Sequence, residues 1–351
     1  MRQTARVAAL IMGLLMVGVG YRLIVDGGLL VSVVPHAPGA CRQVGEVPGP
    51  EDFALDRERK LLYVSSHNRR HPRSRGALYV VDLRQPLAAL AARPLRADYP
   101  EDFRPHGLSL LIRPGGERLL YAVSHPEAGP RPLDFGRRHR IEIFAVEGDG
   151  LRHAGGLSDE ALVNPNDIHV RAEDDIYITR DHGAATPIGK MLEEMLPLAR
   201  SSILHYNGRS FRVAAEGILY ANGVTSAGPR LYVAACLGRA VLEYAIDAPG
   251  RLRLQRRLPL PSLPDNLEWD EHGELWTATH PAPLLFWAHA LNARWRSPSQ
   301  ALRISLPEGS VEQVYANPGT EISGSSVAVS LGDKMLIGAV FERHLLACSL
   351  R

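Results

Sequence analysis

A strand-bearing motif that recurs six times predicts an all-β chain, folded as a six-bladed β-propeller behind an N-terminal hydrophobic helix. Three observations carry that expectation. The first is the repeat: "KLLYVSSHN" returns as "RLLYAVSHP", "DIYITRDHG", "RLYVAACLG", "ELWTATHPA" and "KMLIGAVFE", beginning near residues 60, 118, 175, 230, 274 and 334. The second is the setting of each copy. A short strand begins upstream ("EDFALD", "HGLSLLI", "NDIHVRA", "NGVTSAG", "DNLEWDE", "SSVAVSL") and another β-run follows ("GALYVVDL", "RIEIFAVEG", "SILHYNG", "VLEYAID", "LLFWAHAL", "HLLACSL"). The third is turn chemistry: 32 glycines and 26 prolines supply the tight reversals that such a meander needs. A pair of β-sandwiches gives no reason for an even sixfold period.

The elements follow in chain order. Arg2 and Arg6 precede an apolar run over residues 7–20, so residues 1–30 form a signal anchor or a signal peptide. A spanning helix needs about 20 apolar residues. The run reaches that length if residues 21–25 join it with Arg22 snorkelling. No clear A-x-A cleavage site follows, which favours an uncleaved anchor. The expected localisation is extracytoplasmic, periplasmic or secreted, with the membrane as a partner through this helix. Residues 31–351 form the propeller. In an oxidising compartment, a bond between Cys41 and Cys348 would tie its two ends together. Cys236 reads as a buried free thiol, and the spacing supports no cysteine zinc site.

The net charge of +2, with both signs spread along the chain, lacks the clustered basic excess of a nucleic-acid binder. The pairs Arg69-Arg70 and Arg137-Arg138 read as solvated loop charge.

In "PHGLSLLIRPGGERLLYAVSHP" a Pro-Gly-Gly turn folds two apolar runs into a hairpin, bringing His106 and His125 together. The repeat adds to this. In a propeller the first strand of each blade lines the central channel. Those strands open with Glu51-Asp52, His106-Gly107, Asn166-Asp167, Asn222-Gly223, Asp265-Asn266 and Ser325-Ser326, which therefore converge at one end of the axis. Glu51, Asn166, Asn222, Asp265 and Asn266 offer oxygen only, the donor set of a hard ion such as Ca²⁺. Strand alternation turns Asp52 and Asp167 the other way, toward a second, deeper ion, with the backbone carbonyl of Leu108 as a further donor.

The stretches "GPEDFALD", "FRPHGLSL", "VSHPE", "VNPNDIHV", "EGILYANGV", "LPDNLEWD", "GELWTATHP" and "VYANPGT…GSSVA" resemble, in order, those of the serum paraoxonase/arylesterase family. The resemblance runs from about Cys41 to Cys348 and extends to the N-terminal helix and the cysteine pairing. It implies a six-bladed propeller holding two Ca²⁺ ions. Glu51, Asn166, Asn222, Asp265 and Asn266 would hold the catalytic ion; Asp52, Asp167 and the Leu108 carbonyl would hold the structural one. His106 and His125 match the family's histidine dyad. The implied activity is hydrolysis of lactones and aryl esters, with some organophosphates. Two stretches depart from the pattern: "DHGAATPIGKMLEEMLPLARSS" lacks an aromatic-rich lid, and "HNRRHPRSR" is unusually basic.

The expected chemistry is polarisation of the carbonyl by Ca²⁺, with His106 activating water and His125 orienting His106. No G-x-S-x-G elbow supplies a serine nucleophile. The alternatives are a gluconolactonase-like or strictosidine synthase-like propeller enzyme, and a calcium-stabilised binding propeller without activity. The histidine pair disfavours the first and the polar ring the second. His280 in "THPAP" is balanced between pocket and turn; Trp276 and Tyr220 read as core more readily than as pocket wall, since strand aromatics are more often core. His67, His71, His153, His169 and His272 read as surface or strand residues.

Overall fold

The computed structural model describes residues 24–127, 136–196 and 198–350, together with residues 12, 13, 17, 18, 20 and 21. Its strands form six four-stranded antiparallel sheets, the predicted propeller. The inner strands are Pro50–Asp56, Pro105–Ile112, Pro165–Ala172, Ala221–Ala227, Leu263–Trp269 and Ser325–Leu331, in blades one to six. Each inner strand lies against the next, and the sixth lies against the first, so the ring is closed. The second strands begin at Leu61, Arg118, Asp175, Arg230, Leu275 and Lys334, the repeat read from sequence.

The core sits between the blades. Six apolar clusters fill the six junctions; Phe53, Leu62 and Val64 of blade one meet Val327, Val329 and Leu345 of blade six, for example. Strand alternation produces this, since one face of each twisted sheet packs on the sheet before it and the other on the sheet after it.

Blade six is completed by the N-terminal strand Cys41–Val44, which pairs with Leu345–Ser349 in a register that sets Cys41 opposite Cys348. These two cysteines form a disulfide, and Cys236 is free and buried.

One predicted strand is a helix instead. "LLFWAHAL" belongs to α2 (Pro283–Leu291), following α1 (Pro187–Met195), and the third strand of blade five is Ser299–Ser305. The apolar run fits either period, but Pro283 occupies the first helical turn, where its fixed φ and missing N–H favour a helix start. The N-terminal helix expected over residues 1–30 falls mostly outside the described residues. Among the described residues no helix is long and apolar enough to cross a membrane.

Candidate active site

All six inner strands shift register against their neighbours at the positions that open them, between Pro50 and Asp52 in blade one and between Pro105 and Leu108 in blade two, for example. Such a bulge suspends strict alternation and lets two successive side chains turn toward the channel. That is why Asp265 and Asn266, adjacent in sequence, can both serve one site. The strands also approach closely there. A Cβ on Gly107 would fall 2.5 Å from the Asp167 Cα, and one on Gly223 would fall 2.6 Å from the Asn266 Cα. Only glycine allows this contact.

Glu51, Asp52, His106, Asn166, Asp167, Asn222, Asp265 and Asn266 are all buried. Asn266 Nδ2 donates to Glu51 Oε1 at 3.0 Å, and His280 Nε2 lies 2.9 Å from Asp265 Oδ2. His280 thus contacts the ring, whereas Trp276 is wholly buried core and donates its Nε1–H to Asp270. Tyr220 packs its ring edge-on against His182. Among the described residues no hydrogen-bond donor reaches four buried oxygens of the ring: Glu51 Oε2, Asn166 Oδ1, Asn222 Oδ1 and Asn266 Oδ1. Such orphans cost about 1–3 kcal/mol each, and oxygens of this kind are the donors a hard cation takes. Among the described residues no three His, Cys, Asp or Glu side chains are gathered to hold a metal by themselves. The asparagine amides supply as much of this donor set as the carboxylates do.

Below the ring, the Leu108 N–H donates to Asp52 Oδ2 at 2.7 Å, and the Val224 and Ile168 N–H groups donate to Asp167 at 2.6 and 2.7 Å. Burial drives the Asp52 carboxyl well above the usual carboxylate range, with Asp167, Glu51 and Glu268 adding repulsion. Burial likewise pushes Asp167 up to about 8. Glu268, a neighbour that the sequence motifs did not single out, is pushed by burial to about 8. A carboxylate cluster of this kind favours a bound proton or a cation. At Glu51 burial opposes ionisation, yet His106, Arg69 and Asn266 hold the group at about 2.

The blade-two hairpin brings His106 Nδ1 to 2.8 Å from His125 Nε2, and His106 Nε2 lies 3.4 Å from Glu51 Oε1. The chain of imidazoles continues: His125 Nδ1 is 2.8 Å from His139 Nδ1. His139 was missed, because "FGRRHRIE" reads as a solvated basic run. Strand register places it, since Ser124 opposes Arg140 and residue 125 therefore faces residue 139. A broader signal did lie in the repeat. His67, His125, His182 and His280 each stand at the end of a second strand, and all four are buried.

Arg69 also departs from expectation. The backbone pairs His67 with Gly49 and Gly76 with Phe103, which pins the intervening loop inward and buries Arg69 to 2% exposure. Arg70 binds the carbonyls of His289 and Ala290 and lies over the Phe341 ring.

Comparison with known proteins agrees with this geometry. The model of the arylesterase family matches residues 33–350. The chain belongs to the arylesterase family. Among its relatives, human serum paraoxonase/arylesterase 1 is 30% identical over 284 residues, covering 78% of this chain and 77% of that protein. Human serum paraoxonase/lactonase 3 is 28% identical over 332 residues, covering 90% of each. In fold alone, a gluconolactonase from Xanthomonas campestris is similar, with a TM-score of 0.54 at 17% identity over 92% of this chain and 98% of that one. Membership in the arylesterase family places the chain among propeller hydrolases of esters and lactones.

Proposed function

We propose that this arylesterase-family chain is a calcium-dependent hydrolase of lactones and aryl esters. The observation that carries the reading is the set of four donorless buried oxygens, contributed by blades one, three, four and five. Glu51, Asn166, Asn222, Asp265 and Asn266 would hold one Ca²⁺, and Asp52 and Asp167 beside Leu108 the other. When bound in the ring, Ca²⁺ supplies Lewis-acid polarisation of the scissile carbonyl and balances the charge that develops on its oxygen.

The protein's own residues manage the proton. Burial, aided by His139, His106 and Arg69, holds His125 far below the usual imidazole range, so its ring is neutral. Burial also holds His139 near 4. In the tautomer this reading requires, His106 donates Nδ1–H to His125 Nε2, and His125 donates Nδ1–H to His139 Nδ1. That arrangement leaves His106 Nε2 bare on the channel side, where it accepts the proton of the attacking water. We further propose that residues 1–30 anchor the propeller outside the cytoplasm, in keeping with its disulfide.

Chelation tests the reading. Exhaustively chelated protein should lose hydrolysis of phenyl acetate and of aliphatic lactones, recover it with Ca²⁺, and melt at a lower temperature. Asp265→Ala should be more damaging than Asn222→Ala, because it also removes a charge that balances the ion. Full activity with an unchanged melting temperature after chelation overturns the assignment.

A further inference from the structure

Arg69 acts on Glu51 and His125 through its charge alone, and its own N–H donors are unusually placed. Its side chain is 1% exposed, and none of its three guanidinium nitrogens makes a hydrogen bond among the described residues. The nearest acid, Glu51 Oε2, is 3.6 Å away, outside hydrogen-bond range. Glu51 already receives Asn266 Nδ2 and faces His106 on its other oxygen. A guanidinium presents five N–H donors in a planar fork. Burying that fork without acceptors is costly, and burying its charge beside a site for a divalent cation is costlier still. Of its neighbours, Arg104 is a second cation whose donors are spent on the carbonyls of Pro72, Asp102 and Pro126, and His67, held near 3 by burial, is neutral and donates Nε2–H to the Ser74 carbonyl. The basic stretch "HNRRHPRSR" thus delivers to the edge of the ring a cation that is paired with Glu51 in charge but whose N–H donors are unspent.

We propose that Arg69 forms a carboxylate-binding subsite beside the reacting centre. Its fork matches the two oxygens of a carboxylate. Such a group has two sources, an acidic substituent on the ester or lactone substrate and the carboxylate that hydrolysis releases. This inference rests on the reading of the ring as an ester-hydrolysing site.

The test compares wild-type, Arg69→Met and Arg69→Lys proteins, each calcium-replete. Hydrolysis is measured on phenyl acetate and on the phenyl half-ester of glutarate, which carries a free carboxylate. Butanoate binding is followed separately by ligand-observed NMR and by competition. Arg69→Met should lower the glutarate-to-acetate ratio of kcat/KM, or weaken butanoate binding, by about tenfold or more, with Arg69→Lys between the two. A fall in the ratio alone assigns the subsite to the substrate's acid group. Weakened butanoate binding alone assigns it to the product. A ratio and a butanoate affinity both unchanged in Arg69→Met overturn the proposal, and a lowered melting temperature in that case assigns Arg69 to the fold. If wild-type protein hydrolyses neither ester, the functional reading fails, and the NMR comparison still decides the subsite. Should Arg69→Met not fold, Arg69→Lys carries the same comparisons.

Discussion

His106 touches both halves of the site. One nitrogen faces the oxygen ring at Glu51, and the other enters the imidazole chain through His125. The proposed role as a base requires a lone pair facing the channel, and so the tautomer in which Nδ1–H is donated to His125. Substitution by glutamine keeps hydrogen-bonding capacity but removes the basic nitrogen. His106→Gln should therefore retain its fold and its calcium affinity while losing about 10²-fold or more in phenyl acetate turnover. His125→Gln should cost less, because it acts through its neighbour, and His139→Gln less again. Wild-type turnover in His106→Gln would reduce the two hairpin histidines to strand ends. The hairpin pair was legible because both residues lie on one continuous motif with its turn between them. His139 was not, since a register across two strands puts it there. Arg69 was not legible either. Its burial depends on a loop pinned at both ends by backbone contacts, whereas its sequence context is that of solvated charge.

At the scale of elements, α1 shows how a helix can be held by its polar side. Ile188, Met191, Leu192 and Met195 are exposed, while Glu193 is buried and accepts from the Gly183 N–H. The tether continues at His182, whose Nδ1 meets Asp181 at 2.7 Å and whose Nε2 meets Glu194 on the helix at 2.9 Å. Burial opposes charge on this imidazole, but the Asp181 and Glu194 carboxylates prevail and push it up to about 10. A folded pKa above the unfolded value near 6.5 stabilises fully below that value, and the contribution is lost as pH rises toward 10. The melting temperature of the wild type should exceed that of His182→Gln most at pH 6, with the gap narrowing steadily by pH 10. A gap independent of pH would mean that His182 is held neutral. The sequence stretch around α1 announced a departure from the family pattern but not this inverted helix, because amphipathic periodicity does not say which face is buried. The misread of α2 has a similar root, since a short apolar run is compatible with either period until its proline is weighed.

Across the whole molecule, closure of the ring depends on the smallest contribution to it. Five blades draw all four strands from one continuous segment, whereas blade six borrows the four-residue strand Cys41–Val44 from the other end of the chain. Four residues give few ladder hydrogen bonds, and the junction of blades six and one depends on that strand staying in place. The disulfide closes a loop of sequence separation 307. By the chain-entropy argument, so long a loop gives a stabilisation of about 5 kcal/mol, acting on the unfolded chain. The sixfold repeat made this closure foreseeable, because a ring must join its last blade to its first. Cys41→Ser should lower the melting temperature and raise protease sensitivity at the chain ends, and reductant should change that variant no further. Cys236 follows the second strand of blade four, beside Asn222 rather than at the closure, so Cys236→Ser should leave the melting temperature nearly unchanged. Thiol titration of denatured, unreduced protein checks the pairing directly. One reactive thiol is expected in the wild type, two in Cys41→Ser and none in Cys236→Ser. Three in wild-type protein from its native compartment would show that the ring closes by strand pairing alone.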